Sequence, residues 1–459
     1  MNLKNKLAEM PIRPLLYTMA VPLMLSLLIQ SLYNIVDSIF VARLSETALT
    51  AASLVYAIQF LMIAIGVGTA VGLNALLSRK LGQKKPEEAC RAATTGLFLM
   101  LGTSLVFTLV GLLFSNRIAA ALTDDPELQQ LCREYLSVNL VFCWGIFLQT
   151  YGQRLLQAVG DTVLSMVSLI IGAVANIILD PMMIFGLLGC PAMGIRGAAI
   201  ATVIGQLVSA LMVFYFHGKL DREVDKSPRY LKPQGRILKE IYQIGLPAII
   251  SQALLTVMTY GLNLILGRIP EVGENTVTVY GLYCKIQQMI IFAAVGVRDA
   301  ITPIVSFNFG LRSRRRIQEG IRCGMLFTAV LMLIGLVLIE LLAEPLTRFF
   351  SLSDVTYTIC VDCIRIVSLG FLFAGICIAF QGVFQALECG LESLLISLGR
   401  QVVFILPVAW CITRFITGAE NVALVWWTFL IGEGLTLLCA LFMYARVIRK
   451  KLSGLEVKP

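Results

Sequence analysis

Charge is scarce in this chain. Asp, Glu, Lys and Arg together make up 14% of its 459 residues, and histidine occurs once, at His217. A lone histidine rules out His-rich metal clusters, and its place in or beside the polar stretch 217–239 removes it from a Ser–His or Cys–His arrangement among the apolar segments. No G-x-x-x-x-G-K-[ST] phosphate loop is present, which removes ATP as the direct energy source. The twelve cysteines are scattered through apolar stretches, where cysteine behaves as a small hydrophobe. Cys360 and Cys363 form one C-x-x-C without a second pair, too little for a zinc or thiol-exchange motif. No connection between apolar segments is long enough for a soluble catalytic domain. The first apolar run is too long for a cleaved signal and lacks its small-x-small exit. Asp124, Asp125 and Glu127 sit in a short loop without metal spacing, so a membrane-embedded enzyme such as a lipid transferase is disfavoured.

What the chain has in abundance is hydrocarbon: 58% of residues are hydrophobic and the mean hydropathy is +0.84. A spanning helix needs about 20 largely apolar residues. Twelve segments qualify, near 15–41, 51–78, 93–114, 135–158, 163–187, 194–216, 241–267, 277–307, 320–340, 357–386, 394–416 and 421–445. Those near 135–158 and 357–386 also carry Gln, Cys and Arg. The expected fold is an all-α polytopic membrane protein.

A net charge of +9 would suggest nucleic acid in a soluble protein. Here its distribution reads as topology. When alternate loops are sorted by side, 27 of the 37 Lys and Arg fall on one side and seven on the other, with Lys285, Arg298 and Arg365 within or at the edge of spans. Arg400 is counted with the richer side. Cytoplasmic loops accumulate Lys and Arg, so both termini are expected in the cytoplasm.

The longest polar stretch, residues 217–239, carries Pro228 and Pro233 and reads as a cytoplasmic linker. It divides an N-terminal lobe, 1–216 with helices 1–6, from a C-terminal lobe, 240–459 with helices 7–12 and a short basic tail. The lobes echo each other. Val67-Gly68 answers Val295-Gly296, Leu81-Gly82 answers Phe309-Gly310, and Gln157-Ala158 answers Gln385-Ala386, all at an offset of 228. Pro22 and Pro247 are offset by 225, and Pro181 and Pro407 by 226. Six helices per half make this a parallel repeat, an architecture in which secondary transporters rock one half against the other.

Two carboxylates stand where hydrocarbon tolerates them least, Asp37 and Asp180. Gln30, Tyr33, Asn34 and Asp37 recur at i, i+3, i+4, i+7 and share one helix face. Asn176 and Asp180, four apart, lie one above the other. A polar seam between helices is the blander reading, but a carboxylate is a poor glue, and intramembrane carboxylates mark ion or proton pathways. Glu433 and Lys285, also mid-span, require a partner or water, and pairing with one another is one expectation. Arg298 beside Asp299 reads as a local ion pair. Gln149, Gln153 and Gln157 form a stripe that suits a lumen-facing surface or a packing seam equally. Met and Phe, 16 and 24 in number, suit promiscuous binding as a class but identify no individual contact.

The run Pro22 to Arg43 resembles the first helix of the multidrug and toxic compound extrusion (MATE) transporters. Ala175 to Pro181 resembles their fifth helix, and Gly194 to Gly205 the start of their sixth. The resemblance covers essentially the whole chain, and Y-N-x-x-D together with N-x-x-x-D-P is its specific part. It implies a twelve-helix, proton- or sodium-coupled exporter of amphipathic, often cationic compounds, in the cytoplasmic (inner) cell membrane. The reading as a whole expects no enzyme activity, no cofactor beyond the coupling ion, no nucleic acid and contacts with lipids and small molecules, and nothing in the sequence requires more than a monomer. By resemblance Asp37 matches the family's coupling aspartate, Asn176 and Asp180 its polar pair, and Thr202 a threonine on the sixth helix. One branch adds acidic residues on helices seven and ten. Residues 246–267 and 366–387 contain none, so this chain resembles the branch whose coupling carboxylates lie in the N-terminal lobe.

Burial penalises an ionised carboxylate and a nearby cation favours it, so alternating exposure can load and release a proton. The same oxygens suit sodium as a hard cation. A lipid-linked oligosaccharide flippase is the rival: it would line its cavity with cations, and Lys285 and Arg298 keep it open.

Overall fold

The structure, a computed structural model, describes residues 3–220, 234–350 and 352–453. Among them every regular element is helical. In chain order these are α1 (Leu3–Glu9), α2 (Ile12–Leu44), α3 (Glu46–Gly82), α4 (Pro86–Leu122), α5 (Pro126–Val141), α6 (Trp144–Ala158), α7 (Thr162–Phe185) and α8 (Gly194–Leu220). The second half holds α9 (Gly235–Leu266), α10 (Gly273–Gly310), α11 (Arg314–Phe349), α12 (Asp354–Ser368), α13 (Phe371–Ala386), α14 (Gly390–Leu398), α15 (Ile405–Thr413) and α16 (Trp427–Leu452). Most of the expected linker, 221–233, and the end of the basic tail, 454–459, lie outside the described residues; 217–220 finish α8 and 235–239 begin α9.

Local chemistry sets the helix ends. The Ser45 hydroxyl accepts from Ala48 N at 2.9 Å to open α3, and the Asp125 and Asp161 carboxylates do the same for α5 and α7. Gly186, at φ +76°, closes α7 in the left-handed conformation that glycine adopts without a Cβ clash.

Among the described residues, ten helical stretches are each long and apolar enough to cross a membrane. Two helix pairs supply the remaining spans as bent units: α5–α6 at 45° and α12–α13 at 50°. These are the segments near 135–158 and 357–386, whose polar residues set them apart in the sequence. Several helices also overrun their apolar cores; α11 runs from 314 to 349 where the apolar stretch is 320–340. An α-helix ends where its backbone is capped, not where its hydrocarbon runs out. Exposure is inverted relative to a soluble protein. Leu113 and Phe442 are 69% and 73% exposed while Asp180 is fully buried, the arrangement a hydrocarbon solvent selects.

By packing, the chain forms two compact units, one of Met1–Met10 with Leu25–Ile249, the other of Pro11–Met24 with Ile250–Pro459. The first span of each half changes unit two residues after its internal proline, Pro22 in α2 and Pro247 in α9. Glycine makes the exchange sterically possible. In the first unit a Cβ on Gly68 of α3 would stand 2.6 Å from Ile249 N in α9. In the second, a Cβ on Gly296 of α10 would stand 2.8 Å from Met24 N in α2.

The internal repeat is written in hydrogen bonds. Asn74 Nδ2 donates to the Arg154 carbonyl and Ser78 Oγ to that of Ala158, both at 3.0 Å. At an offset of 228 from each, Thr302 Oγ1 donates to Gly382 O and Ser306 Oγ to Ala386 O. Likewise Gln157 Nε2 donates to Ser165 Oγ at 3.0 Å and Gln385 Nε2 to Ser393 Oγ at 3.2 Å. A side-chain amide or hydroxyl that caps a neighbouring helix's carbonyl in each unit is a fold-level constraint, because an unmade polar bond in this solvent is costly.

Candidate functional site

The site is built in the first unit from α2, α7 and α8. Asn176 and Asp180 project from one face of α7, which packs along α8. That contact is close because it is made of glycine: a Cβ on Gly205 would stand 2.8 Å from the Gly172 carbonyl oxygen and 2.9 Å from Asn176 Cβ. Asn176 Nδ2 is therefore within reach of two acceptors, Asp180 Oδ1 at 3.3 Å and Thr202 Oγ1 at 3.4 Å. Asp37, on the part of α2 that belongs to this unit, brings its carboxyl within hydrogen-bonding reach of Asp180. The four residues Asp37, Asn176, Asp180 and Thr202 thus converge.

Three acceptor oxygens of this group, Asp37 Oδ1, Asn176 Oδ1 and Asp180 Oδ2, are buried without a protein donor. Buried acceptors left unpaired are destabilising. Two carboxyls in contact need a cation between or beside them, because two ionised carboxylates side by side repel. The donor set is all oxygen apart from one amide nitrogen, and it fits a proton or a hard monovalent cation. Beside it lies a cavity of ≈ 20 Å³ lined by Tyr33, Gln149, Asn176, Thr202, Gln206 and Ser209. A space of ~15 Å³ is the minimum for one water-sized particle, so the cavity admits a single small particle and nothing of drug size.

The supporting face of α2 divides. Tyr33 accepts support from Gln30 by a side-chain hydrogen bond and lies within electrostatic reach of both carboxyls. Asn34 is exposed, and its carbonyl accepts from Ser38 Oγ at 2.8 Å. Two residues escaped the sequence reading. Tyr135 of α5 is hydrogen-bonded to Gln59 of α3 and lies within electrostatic reach of Asp37, Asp180 and Tyr33. Gln59 was visible as a solitary amide in an apolar run; a single tyrosine in a span carries no signal that separates it from packing. Tyr135→Phe is expected to slow transport roughly fivefold, the worth of one hydrogen bond of about 1 kcal/mol, read as initial efflux rate at matched expression. An unchanged rate would reduce Tyr135 to packing.

The glutamine stripe also splits: Gln149 lines the cavity, while Gln157 is held in a seam by Ser165 and Arg154. In the second unit the expected pairing of Glu433 with Lys285 does not form. Arg400 Nε and Nη2 donate to Glu433 Oε2 and Oε1, both at 2.8 Å, and Lys285 is exposed. Arg400, counted above with an inward loop, lies inside the Gly390–Thr413 span with its side chain 12% exposed. A bidentate carboxylate is what allows a guanidinium there, and residues so far apart in sequence show no periodic sign of pairing. Arg298 does form the local pair expected, with Asp299 at 2.8 Å.

Comparison with known proteins agrees with this architecture. The MatE family model matches residues 22–182 and 247–411, one match in each half. The chain is 25% identical over 425 residues to the multidrug export protein MepA of Staphylococcus aureus strain MRSA252, covering 92% of this chain and 91% of that protein. It is 23% identical to the Staphylococcus haemolyticus protein of the same name over the same shares of both chains. Among solved structures it is similar to a multidrug resistance MATE transporter in an outward-facing conformation, with TM-score 0.89, 25% identity, and coverage of 97% of this chain and 98% of that one. A MATE protein in complex with MaL6 shares the fold at TM-score 0.90 over 99% of both chains. With a family match in both halves and the family's helical repeat throughout, this chain belongs to the MatE family of efflux transporters.

Proposed function

We propose that this protein is a cation-coupled exporter of amphipathic, mainly cationic compounds. It works by antiport with alternating access, in the cytoplasmic membrane with both termini inside. The observation that carries the reading is the Asp37 carboxyl within hydrogen-bonding reach of the buried Asp180, beside Asn176 and Thr202. The export of drugs by MepA, to which the chain is similar over most of its length, supports the same direction of transport.

The coupling cation, a proton or sodium, is a transported species and not a resident cofactor. Loading it joins Asp37 on α2 to Asp180 on α7, and releasing it leaves two like charges to separate. Ion occupancy thereby changes the preferred position of the Asp37 segment of α2. The proline at Pro22, at the border of that segment, is where such a helix bends most readily. The flippase reading loses support from charge: Arg298 and Arg400 are paired with Asp299 and Glu433, which leaves few free intramembrane cations for a pyrophosphate.

Efflux of a fluorescent cationic dye from cells expressing this chain tests the proposal, with a protonophore in one arm and sodium replaced in another. Collapse in the first arm alone identifies protons, and collapse in the second alone identifies sodium. Retention of efflux in both arms would refute cation coupling.

A further inference from the structure

The Arg400–Glu433 pair has no part in the site described above, and it sits at a telling place in the repeat. In the first unit a Cβ on Gly172 of α7 would stand 2.7 Å from Ser209 Cβ of α8. In the second a Cβ on Gly399 would stand 3.2 Å from Thr436 Oγ1 of α16. Both members of the second contact follow the first by 227 residues, and Gly205 and Gly432 are related by the same offset. The two helix crossings are therefore counterparts. At that offset Ala173 corresponds to Arg400 and Gln206 to Glu433.

Ala173 and Gln206 line the small cavity of the first unit. In the second unit their counterparts are a buried ion pair. A third wall agrees: Gln149 of the cavity corresponds at an offset of 228 to Cys377, which lies within electrostatic reach of both Arg400 and Glu433. Arg400 stands in a π-helical turn, Gly399–Val403. Such turns widen the helix locally and occur often at functional sites. Of the remaining polar lining, Asn176 is replaced by Val403 and Thr202 by Phe429, whose ring stacks on Tyr280, while Ser209 keeps a hydroxyl as Thr436. The second unit thus keeps the crossing, exchanges the oxygen ligands for apolar side chains, and places a guanidinium and its carboxylate where the first unit has space.

We propose that Arg400 is a tethered cation: it fills the second unit's counterpart of the small cavity beside the coupling carboxyls, so that this half takes up no mobile ion, and its truncation opens a monovalent-cation site whose carboxylate is Glu433. The role given to the first unit's cavity rests on the function proposed above; the new site requires only Glu433 and the space left by the guanidinium.

The test uses purified full-length protein carrying Asp37→Asn and Asp180→Asn, so that the first unit's carboxyls do not contribute. Thermal unfolding is followed against millimolar guanidinium and, separately, sodium, with and without Arg400→Gly. Arg400→Gly is expected to gain a saturable rise in Tm of about 3 °C or more with guanidinium. Adding Glu433→Gln should abolish it, and the Arg400-intact protein should show none. Arg400→Gly that folds only when prepared in guanidinium would support the proposal equally. A protein that folds and ignores both cations, or that fails to fold even in guanidinium while the apolar pair Arg400→Met/Glu433→Met folds, would overturn it; so would a response that survives Glu433→Gln. Failure of the coupling reading would appear elsewhere, as dye efflux indifferent to Asp37→Asn and Asp180→Asn alone.

Discussion

Asp37→Asn and Asp180→Asn are each expected to reduce gradient-driven dye efflux at least tenfold while leaving the protein inserted and monodisperse. Asparagine matches aspartate in size and still hydrogen-bonds, so the packing of α2 against its neighbours survives. What it removes is the ability to take up and give back a cation. The two carboxyls lie within hydrogen-bonding reach of each other, and groups that act as one unit are strongly non-additive. The double variant should therefore be no slower than either single one. A double loss equal to the product of the single losses would show two independent sites instead of one shared site. Thr202→Val, which removes only a neutral oxygen ligand, should cost less, about 1 kcal/mol or roughly fivefold. Under sodium coupling that loss should appear as a weaker apparent sodium affinity with an unchanged maximal rate.

Gly72→Leu is expected to abolish folding, read by size-exclusion chromatography of the solubilised protein. A Cβ on Gly72 would collide with the Ile241 carbonyl oxygen and stand 2.9 Å from Gly245 N, both backbone atoms of α9. Neither atom can rotate away, so the two helices must separate, and overpacking of this kind costs about 1–3 kcal/mol even where side chains can yield. Leucine at Gly102 or Gly281, where nothing lies within 4 Å of an added Cβ, should leave the elution profile unchanged. Equal tolerance at all three positions would mean that the first turns of α9 do not lie against α3 as described.

The sequence was most legible where the solvent did the selecting. Hydrocarbon admits only helices of a given length, so the twelve apolar segments and their repeat could be read directly, down to the two polar segments that became bent pairs. Asp37, Asn176 and Asp180 were legible for the complementary reason: in such a solvent a carboxylate is too costly to be incidental. Helix ends were less so: α11 runs from 314 to 349, well past its apolar stretch, so hydropathy does not mark where it begins or stops.

Pairing across distance was not legible at all. Nothing in the neighbourhood of Glu433 distinguishes Arg400 from Lys285 as its partner, and both choices satisfy the requirement that a buried charge be paired. The packing of α14, its π-helical turn and α16 made the choice. Tyr135 and Gln59 were missed likewise, since the packing of α5 on α3 brings them together and Tyr135 within electrostatic reach of the carboxyls, with no local pattern to show it. The sequence alone determined that this chain spans the membrane as a helical repeat and that its first half carries two intramembrane carboxylates, because those features follow from the cost of polar groups in hydrocarbon. Tertiary structure decided which charges meet and which halves of the first spans change unit, because each depends on packing between helices distant in sequence.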